Sequence, residues 1–386
     1  MSSALDNLRI LDFSRVLAGP FATMMLGDLG ASVIKIERPG VGDDTRSWGP
    51  PYDDRGAATY FQSVNRNKES LVLDLAKAAG REQAQRLAAE ADVVVENFRP
   101  GVMDRLGLGY YQLRGENRGL IYCSITGFGA GAGAELPGYD LLVQAVGGLM
   151  SITGAPDREP QKVGVALVDV LAGLFASVGI LTALVHRGAR GDGQRVEVNL
   201  LSSLLAALVN QGAAHTAGGT IPARMGNQHP SIAPYELFRC QDGDLVIAVG
   251  NDRQFAALCA AIDAPQLAQD SRFHTNAARV KHRDALRTDL ECRLTRQPAA
   301  DWTTTLTAAG VPAGVVNDLA GAFRLAVELG LEPVIAIPYP DGTRINLTRN
   351  PIRLSATPAT YRSPPPRLGG SRAVDFPATR EKASRT

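Results

Sequence analysis

The sequence predicts an α/β protein built on a largely parallel sheet, with a smaller second domain. Three observations lead there. The first third alternates short β-branched runs with helical patterns, as stacked βαβ units do. At 386 residues the chain exceeds the roughly 250–300 residues at which one core stops growing. After a stretch rich in Gly, Pro and small polar residues at 217–234, the texture changes to a hairpin followed by helical patterns.

Residues 8–13, 31–37, 70–74, 92–96 and 120–126 read as strands, with helices between them at, for example, 20–29 and 81–90. Pro20 suits a helix start, because its missing N–H costs nothing there. Residues 138–150 and 163–185 read as helices. The second is long enough to span a bilayer, but Asp169 interrupts it and Gly and Ala stand where Leu would be expected, so it is read as a buried helix. Residues 194–198 form a short strand feeding an apolar helix at 200–208. The break at 217–234 marks a boundary or mobile loop. Residues 235–240 and 244–249 pair as a hairpin across Gln241, Asp242 and Gly243, helices fill 251–309, and 334–338 and 343–347 are strands. An extended, proline-rich tail occupies 358–370. The domain plan is a large domain at 1–216, the linker and loop at 217–234, a small domain at 235–325, and a C-terminal segment at 326–386.

Several chemistries are excluded by composition and spacing. Forty basic and 39 acidic residues leave a formal charge of +1, so no global field gathers nucleic acid or an anionic membrane. Cys123, Cys240, Cys259 and Cys292 are scattered without a C-x-x-C pair, which suggests neither a disulfide frame nor a thiolate metal site. No basic n-region or apolar h-region occupies residues 1–7, so the expected location is cytoplasmic. No lysine follows a glycine, which removes a Walker A loop, and no H-E-x-x-H occurs, which removes a zincin site. Gly127-Phe128-Gly129-Ala130-Gly131-Ala132 loosely fits a dinucleotide fingerprint, but residues 133–138 cannot open an apolar helix, so it reads as a flexible loop.

Asp169 is the sharpest anomaly, set in Val168-Asp169-Val170-Leu171-Ala172 within the most hydrophobic part of the chain. Burying a carboxylate is costly unless something stabilises it. One account is that Asp169 caps the following helix. Another is that the positive helix end keeps it ionised as a nucleophile, and the two are compatible. Asp140, at the mouth of another helix, has the same two readings. Arg38, Asn97, Arg99 and Arg105 follow strand ends, the edge of an α/β sheet where ligands bind, so they are phosphate-binding candidates or solvated surface charges.

The motifs Arg15-Val16-Leu17-Ala18-Gly19-Pro20, residues 30–39, Asn65-Arg66-Asn67-Lys68, Glu96-Asn97-Phe98-Arg99-Pro100-Gly101, Gly138-Tyr139-Asp140 with Gln144, the Asp169 segment and Gly191-Asp192-Gly193-Gln194 together resemble the class III CoA-transferase family, in the family's order and over nearly the whole length. The resemblance implies a Rossmann-like large domain that binds CoA, a smaller α+β domain inserted in it, and a C-terminal segment returning to it. It also implies an obligate homodimer of two interlocked rings. The nucleophile falls on Asp169. CoA contacts fall on Val16, Leu17, Ala18, Arg38, Leu73, Asn97, Phe98, Arg105, Tyr139 and Asp140, with Arg38 and Arg105 suited to the phosphates. Trp48 and Tyr60 match aromatic positions near the acid pocket, and Gly226-Asn227-Gln228-His229 matches the mobile glycine loop with a single glycine.

The implied reaction passes CoA from an acyl-CoA to a small carboxylic acid through an aspartyl anhydride and an aspartyl-CoA thioester. It uses no permanently bound cofactor and no metal; CoA is substrate. The texture of Pro230-Ser231-Ile232-Ala233-Pro234-Tyr235-Glu236 looks closest to members using succinyl-CoA or a similar dicarboxylate donor, and Leu17, where oxalate-specific members carry Gln, counts against oxalate. Two alternatives stay open: α-methylacyl-CoA racemase, which resembles this fold but has His where this chain has Tyr139, and a non-catalytic acyl-CoA-binding protein.

Overall fold

The computed structural model describes residues 3–371, 375 and 376; the rest of the 326–386 segment lies outside the described residues. The chain divides into two compact units. One comprises residues up to Leu149, Val163–Thr220 and residues from Glu332 onward; the other comprises Met150–Lys162 and Ile221–Leu331. Residues 150–162, placed with the large domain by the sequence, thus group with the second unit, and the chain returns to the first unit at Glu332 rather than 326.

The first unit is built on six strands, β1 (Arg9–Asp12), β2 (Ser32–Glu37), β3 (Lys68–Val72), β4 (Val93–Glu96), β5 (Ile121–Thr126) and β6 (Arg195–Asn199). Their order is β3-β2-β1-β4-β5-β6, and every pairing is parallel. Parallel strands covered on both faces are apolar throughout. Ile10, Leu11, Val93, Val94 and Val95 are accordingly all fully buried. Side chains alternate between faces. Ile10, Val93 and Val95 meet helices α1 (Ala18–Asp28) and, further along the chain, Leu167–Arg190, whereas Leu11 and Val94 meet Ala84, Leu87 and Ala88 of Ala78–Glu90.

Numbered in chain order, these helices are α1 (Ala18–Asp28), α2 (Ala78–Glu90), α3 (Asp140–Val146), α4 (Leu167–Arg190) and α5 (Leu200–Ala207). The small residues in α4 have a steric cause: a Cβ on Gly173 would lie 2.6 Å from the Ala18 carbonyl oxygen. A side chain there would push α1 and α4 apart, so Gly173 sets their close approach and brings Asp169, one turn earlier, to the start of α1.

Two helical expectations are corrected. The helix expected over 138–150 breaks at Gly147 and Gly148 into α3 and a single turn, Leu149–Ile152, with Gly148 at φ 86. The apolar run at 163–185 becomes helical only from Leu167 and continues to Arg190, where Gly191 at φ 85 ends it. This helix is also not buried all round. Val168, Ala172, Ala176 and Ile180 are in the core, but Leu174, Phe175, Val178 and Val185 are exposed among the described residues.

The second unit carries an antiparallel sheet of β7 (Tyr235–Arg239), β8 (Asp244–Ala248) and β9 (Ala313–Val315), containing the expected hairpin. Phe238, Ile247, Phe255, Phe273, Leu290 and Trp302 form its core, and the Trp302 indole N–H donates to the Leu294 carbonyl at 2.8 Å. Back in the first unit, β10 (Val334–Pro338) and β11 (Arg344–Thr348) form an antiparallel hairpin. The extended chain beyond it is pinned by Arg362, whose guanidinium donates to the Gly27, Gly30 and Ala31 carbonyls at 3.0, 2.8 and 2.7 Å.

Candidate active site

In an open α/β sheet, ligands bind beyond the carboxyl ends of the strands where the strand order reverses, here between β1 and β4. The loop leaving β1 holds Val16 at φ 69, a conformation a β-branched residue adopts at a cost of about 1–3 kcal/mol. Several bonds fix it there. The Val16 N–H faces both Asp43 oxygens at 3.3 Å. Buried Lys35 grips Asp43 at 2.8 Å and the Ser14 carbonyl at 2.7 Å. The Asn97 side chain accepts from the Arg15 N–H at 2.8 Å and donates to the Arg15 carbonyl at 2.7 Å. Burial works against charge on Asp43, but Lys35 outweighs it and holds the carboxyl below its ordinary range.

Asp169 lies in the first turn of α4, whose cap residue is Ala166 and which receives no cap from its own cap side chain. The cap comes from another helix. At the start of α3, Asp140 Oδ1 accepts from the Val168 N–H at 2.8 Å and the Asp169 N–H at 3.3 Å, while Oδ2 accepts from Gln144 Nε2 at 2.6 Å. Gln144 Oε1 in turn accepts from the Val163 N–H at 2.9 Å. The expectation that Asp169 caps its own helix is therefore corrected: Asp140 does so from a distance of 29 residues in sequence. Burial and then the Asp140 carboxylate raise Asp169 from 3.8 to about 7. Burial and the Asp140 charge thus both work against the ionised form that the helix end was expected to favour.

Asp169 opens into a cavity of about 220 Å³ formed by the loops after β1, β4 and β5, with Val16, Leu17, Ala18, Asn97, Phe98 and Tyr139 on its walls. Its far side is the glycine-rich loop. A Cβ on Gly127 would lie 2.5 Å from the Gly138 Cα, so the backbones at the two ends of this loop touch. A second cavity of about 280 Å³, on the same sheet edge, is lined by Arg38, Leu73, Arg15 and Phe98. Arg15 and Phe98 belong to both cavities.

The family model described as CoA-transferase family III matches residues 5–372. The chain belongs to CoA-transferase family III. Succinate–glutarate CoA-transferase of Agrobacterium fabrum is 42% identical over 383 residues, covering 96% of this chain and 94% of that protein. Acetyl-CoA:oxalate CoA-transferase of Acetobacter aceti is 47% identical over 322 residues, covering 83% and 82%. The crystal structure of a CAIB/BAIF family protein from Brucella suis shares 44% identity, with a TM-score of 0.85 over 96% of this chain and 97% of that one.

Within this CoA-transferase family III chain, the structure brings Asp169 together with six of the expected CoA contacts and gathers Arg38, Leu73 and Phe98 at the second cavity. Asp140 lines neither cavity, because its carboxylate is spent on α4, and Arg105 lines neither and is exposed. Trp48 and Tyr60 pack edge to face at 5.4 Å between ring centroids and also stand outside both linings. Tyr60 is raised to about 12, first by burial and then by the Asp169 and Asp140 charges. Gly226, Asn227, Gln228 and His229 belong to the second unit, where the loop is tethered: Gly226 donates to the Gly154 carbonyl at 3.0 Å, His229 donates to the Tyr235 carbonyl at 3.1 Å, and Arg283 reaches the His229 carbonyl at 3.1 Å.

Sequence reasoning missed Arg15, Asp44 and Glu96. Glu96, pushed up to about 7 by burial, accepts from the Phe98 N–H at 2.8 Å and shapes the turn carrying Asn97 and Phe98. Arg15 follows a strand end just as Arg38 does, so the same rule applied to β1 would have found it.

Proposed function

We propose that the protein transfers CoA from a dicarboxylic acyl-CoA such as succinyl-CoA to a small carboxylic acid, with Asp169 as nucleophile. The reading rests chiefly on one observation: the Asp169 carboxyl opens into a cavity at the switch point of the sheet, walled by Val16, Leu17, Ala18, Asn97, Phe98 and Tyr139. The dicarboxylate donor is drawn from the name of the A. fabrum relative.

The Asp169 carboxylate attacks the thioester carbonyl, expelling CoA thiolate and leaving a mixed anhydride. The thiolate attacks the aspartyl carbonyl, releasing the donor acid and forming an aspartyl-CoA thioester. The acceptor carboxylate then displaces the thiolate to give a second anhydride, and the thiolate attacks its acyl carbonyl, which frees Asp169. Each step exchanges one activated acyl group for another, so no ATP is needed. A raised pKa makes the carboxylate more basic and hence more nucleophilic than an ordinary one, and Asp140 keeps it aimed by fixing the first turn of α4. Water exclusion protects both intermediates.

In this reading Arg38 and Leu73 take the nucleotide end of CoA, and Trp48 and Tyr60 belong to the acid pocket. The strand order supports a Rossmann-like large domain. The exposed Leu174, Phe175, Val178 and Val185 of α4 make a second copy of the chain the natural cover for that face, in an obligate interlocked homodimer located in the cytoplasm. A pKa of about 7 also suits a base for α-proton removal, the isomerase alternative, but the residue before Asp140 is Tyr139, a poor base at neutral pH.

The test is a donor and acceptor screen with succinate, glutarate and oxalate, using wild type and Asp169→Ala. Transfer by wild type, none by the variant and unchanged CoA affinity are expected. Near-normal transfer by Asp169→Ala would refute the nucleophile. Wild-type α-proton exchange from a 2-methylacyl-CoA in deuterated water, without an acceptor, would favour the isomerase.

A further inference from the structure

Between the two cavities one carboxylate holds two arginines. Asp44 Oδ2 meets Arg15 Nη1 at 3.2 Å, and Asp44 Oδ1 pairs closely with Arg38 Nη2. The three side chains are partly exposed, 36% for Arg15, 33% for Asp44 and 47% for Arg38, so solvent weakens both pairs and neither locks the geometry. Asp44's backbone, by contrast, is held in a short turn that Asp43 caps through the Thr45 N–H.

The arginines are better prepared than that pairing requires. Asn97 clamps Arg15's backbone on both sides, and its guanidinium lies 5.2 Å from the Phe98 ring centroid. Arg15 Nε is a buried donor without a hydrogen-bond acceptor. Arg38 Nε is already anchored to the Gly42 carbonyl at 3.0 Å. Two anchored guanidiniums spanned by one carboxylate match a phosphate group better than a single carboxyl, because phosphate offers more acceptor oxygens and greater charge.

Building on the CoA-site reading above, we infer that Asp44 is a placeholder for a CoA phosphate: it pairs with Arg15 and Arg38 in the free protein and yields both to the phosphate when CoA binds. Arg15 is then a phosphate ligand alongside Arg38. The exchange breaks two screened ion pairs and makes charge-assisted bonds to a more highly charged anion.

The experiment is calorimetric titration of wild type, Asp44→Asn and Arg15→Ala with CoA and with pantetheine, which lacks phosphate, at low and high salt. Removing the competing charge tightens CoA binding by roughly fivefold at low salt. The gain shrinks at high salt and is absent with pantetheine. Arg15→Ala weakens CoA binding and spares pantetheine. If Asp44→Asn loses its fold, judged by circular dichroism, Asp44→Ser replaces it with the same expectation. Unchanged or weaker CoA binding by a folded Asp44 variant, or an equal gain with pantetheine, overturns the placeholder while leaving the CoA site standing. Failure of wild type to bind CoA removes the CoA site itself and the placeholder with it.

Discussion

Replacing Asp169 by Asn should make the protein more stable at pH 8 while abolishing transfer. In the folded chain Asp169 titrates at about 7 rather than 3.8. The folded state therefore binds this proton more tightly than the unfolded state does. The associated stability is complete below pH 3.8, falls as pH rises, and is lost once pH passes through about 7. One pKa unit corresponds to about 1.36 kcal/mol, so the full separation is worth at most about 4 kcal/mol against the native state at pH 8. Screening by solvent at the cavity mouth reduces it. Asparagine has the same shape and no charge, so it escapes this cost, the usual stability penalty of a functional carboxylate. Thermal unfolding of both proteins from pH 4 to 8 is the assay. The variant should melt higher at pH 8, and the difference should shrink toward zero near pH 4. A variant that melts at or below wild type at pH 8 would refute the assignment of burial and Asp140 as the source of the raised value.

Two further outcomes follow from the same geometry. The pH profile of kcat/KM should rise through about pH 7 as Asp169 ionises, and Asp140→Asn should move that midpoint to lower pH by removing the neighbouring charge; a profile that stays in place or moves upward contradicts the coupling. Gly173→Val forces a Cβ to within 2.6 Å of the Ala18 carbonyl oxygen. Overpacking of this kind costs roughly 1–3 kcal/mol, so urea midpoints should fall and CoA affinity should drop as α1 shifts, whereas unchanged values would show that the two helices do not set the site.

Much of the fold was legible because its signals are local. Ile10, Leu11 and Val93 to Val95 sit in short apolar runs that suit a strand buried on both faces, whereas the end of α4 at Gly191 was placed too early, at 185. What stayed hidden depends on contacts between residues distant in sequence. Asp140 looked like a cap for its own helix, since nothing local says that its carboxylate reaches the amides of Val168 and Asp169. The strained Val16 could not be read from a Val in a loop; it exists because Lys35 and Asp43, 19 and 27 residues on, hold it from below. The glycines of 127–138 carried a readable shortage of side chains, but that two of their backbones touch is a tertiary fact. Asp169 stood out because a carboxylate among Val, Leu and Ala is costly wherever the chain folds, although its direction of titration required the burial and the neighbour that only the structure supplies.

The central claim is that Asp169 itself carries the acyl group. Incubation with succinyl-CoA without an acceptor, quenching with hydroxylamine and peptide mass spectrometry tests it directly. The account predicts a hydroxamate at Asp169, formed only when the acyl-CoA is present. A protein that transfers CoA normally while the hydroxamate falls on another residue, or on none, would contradict it.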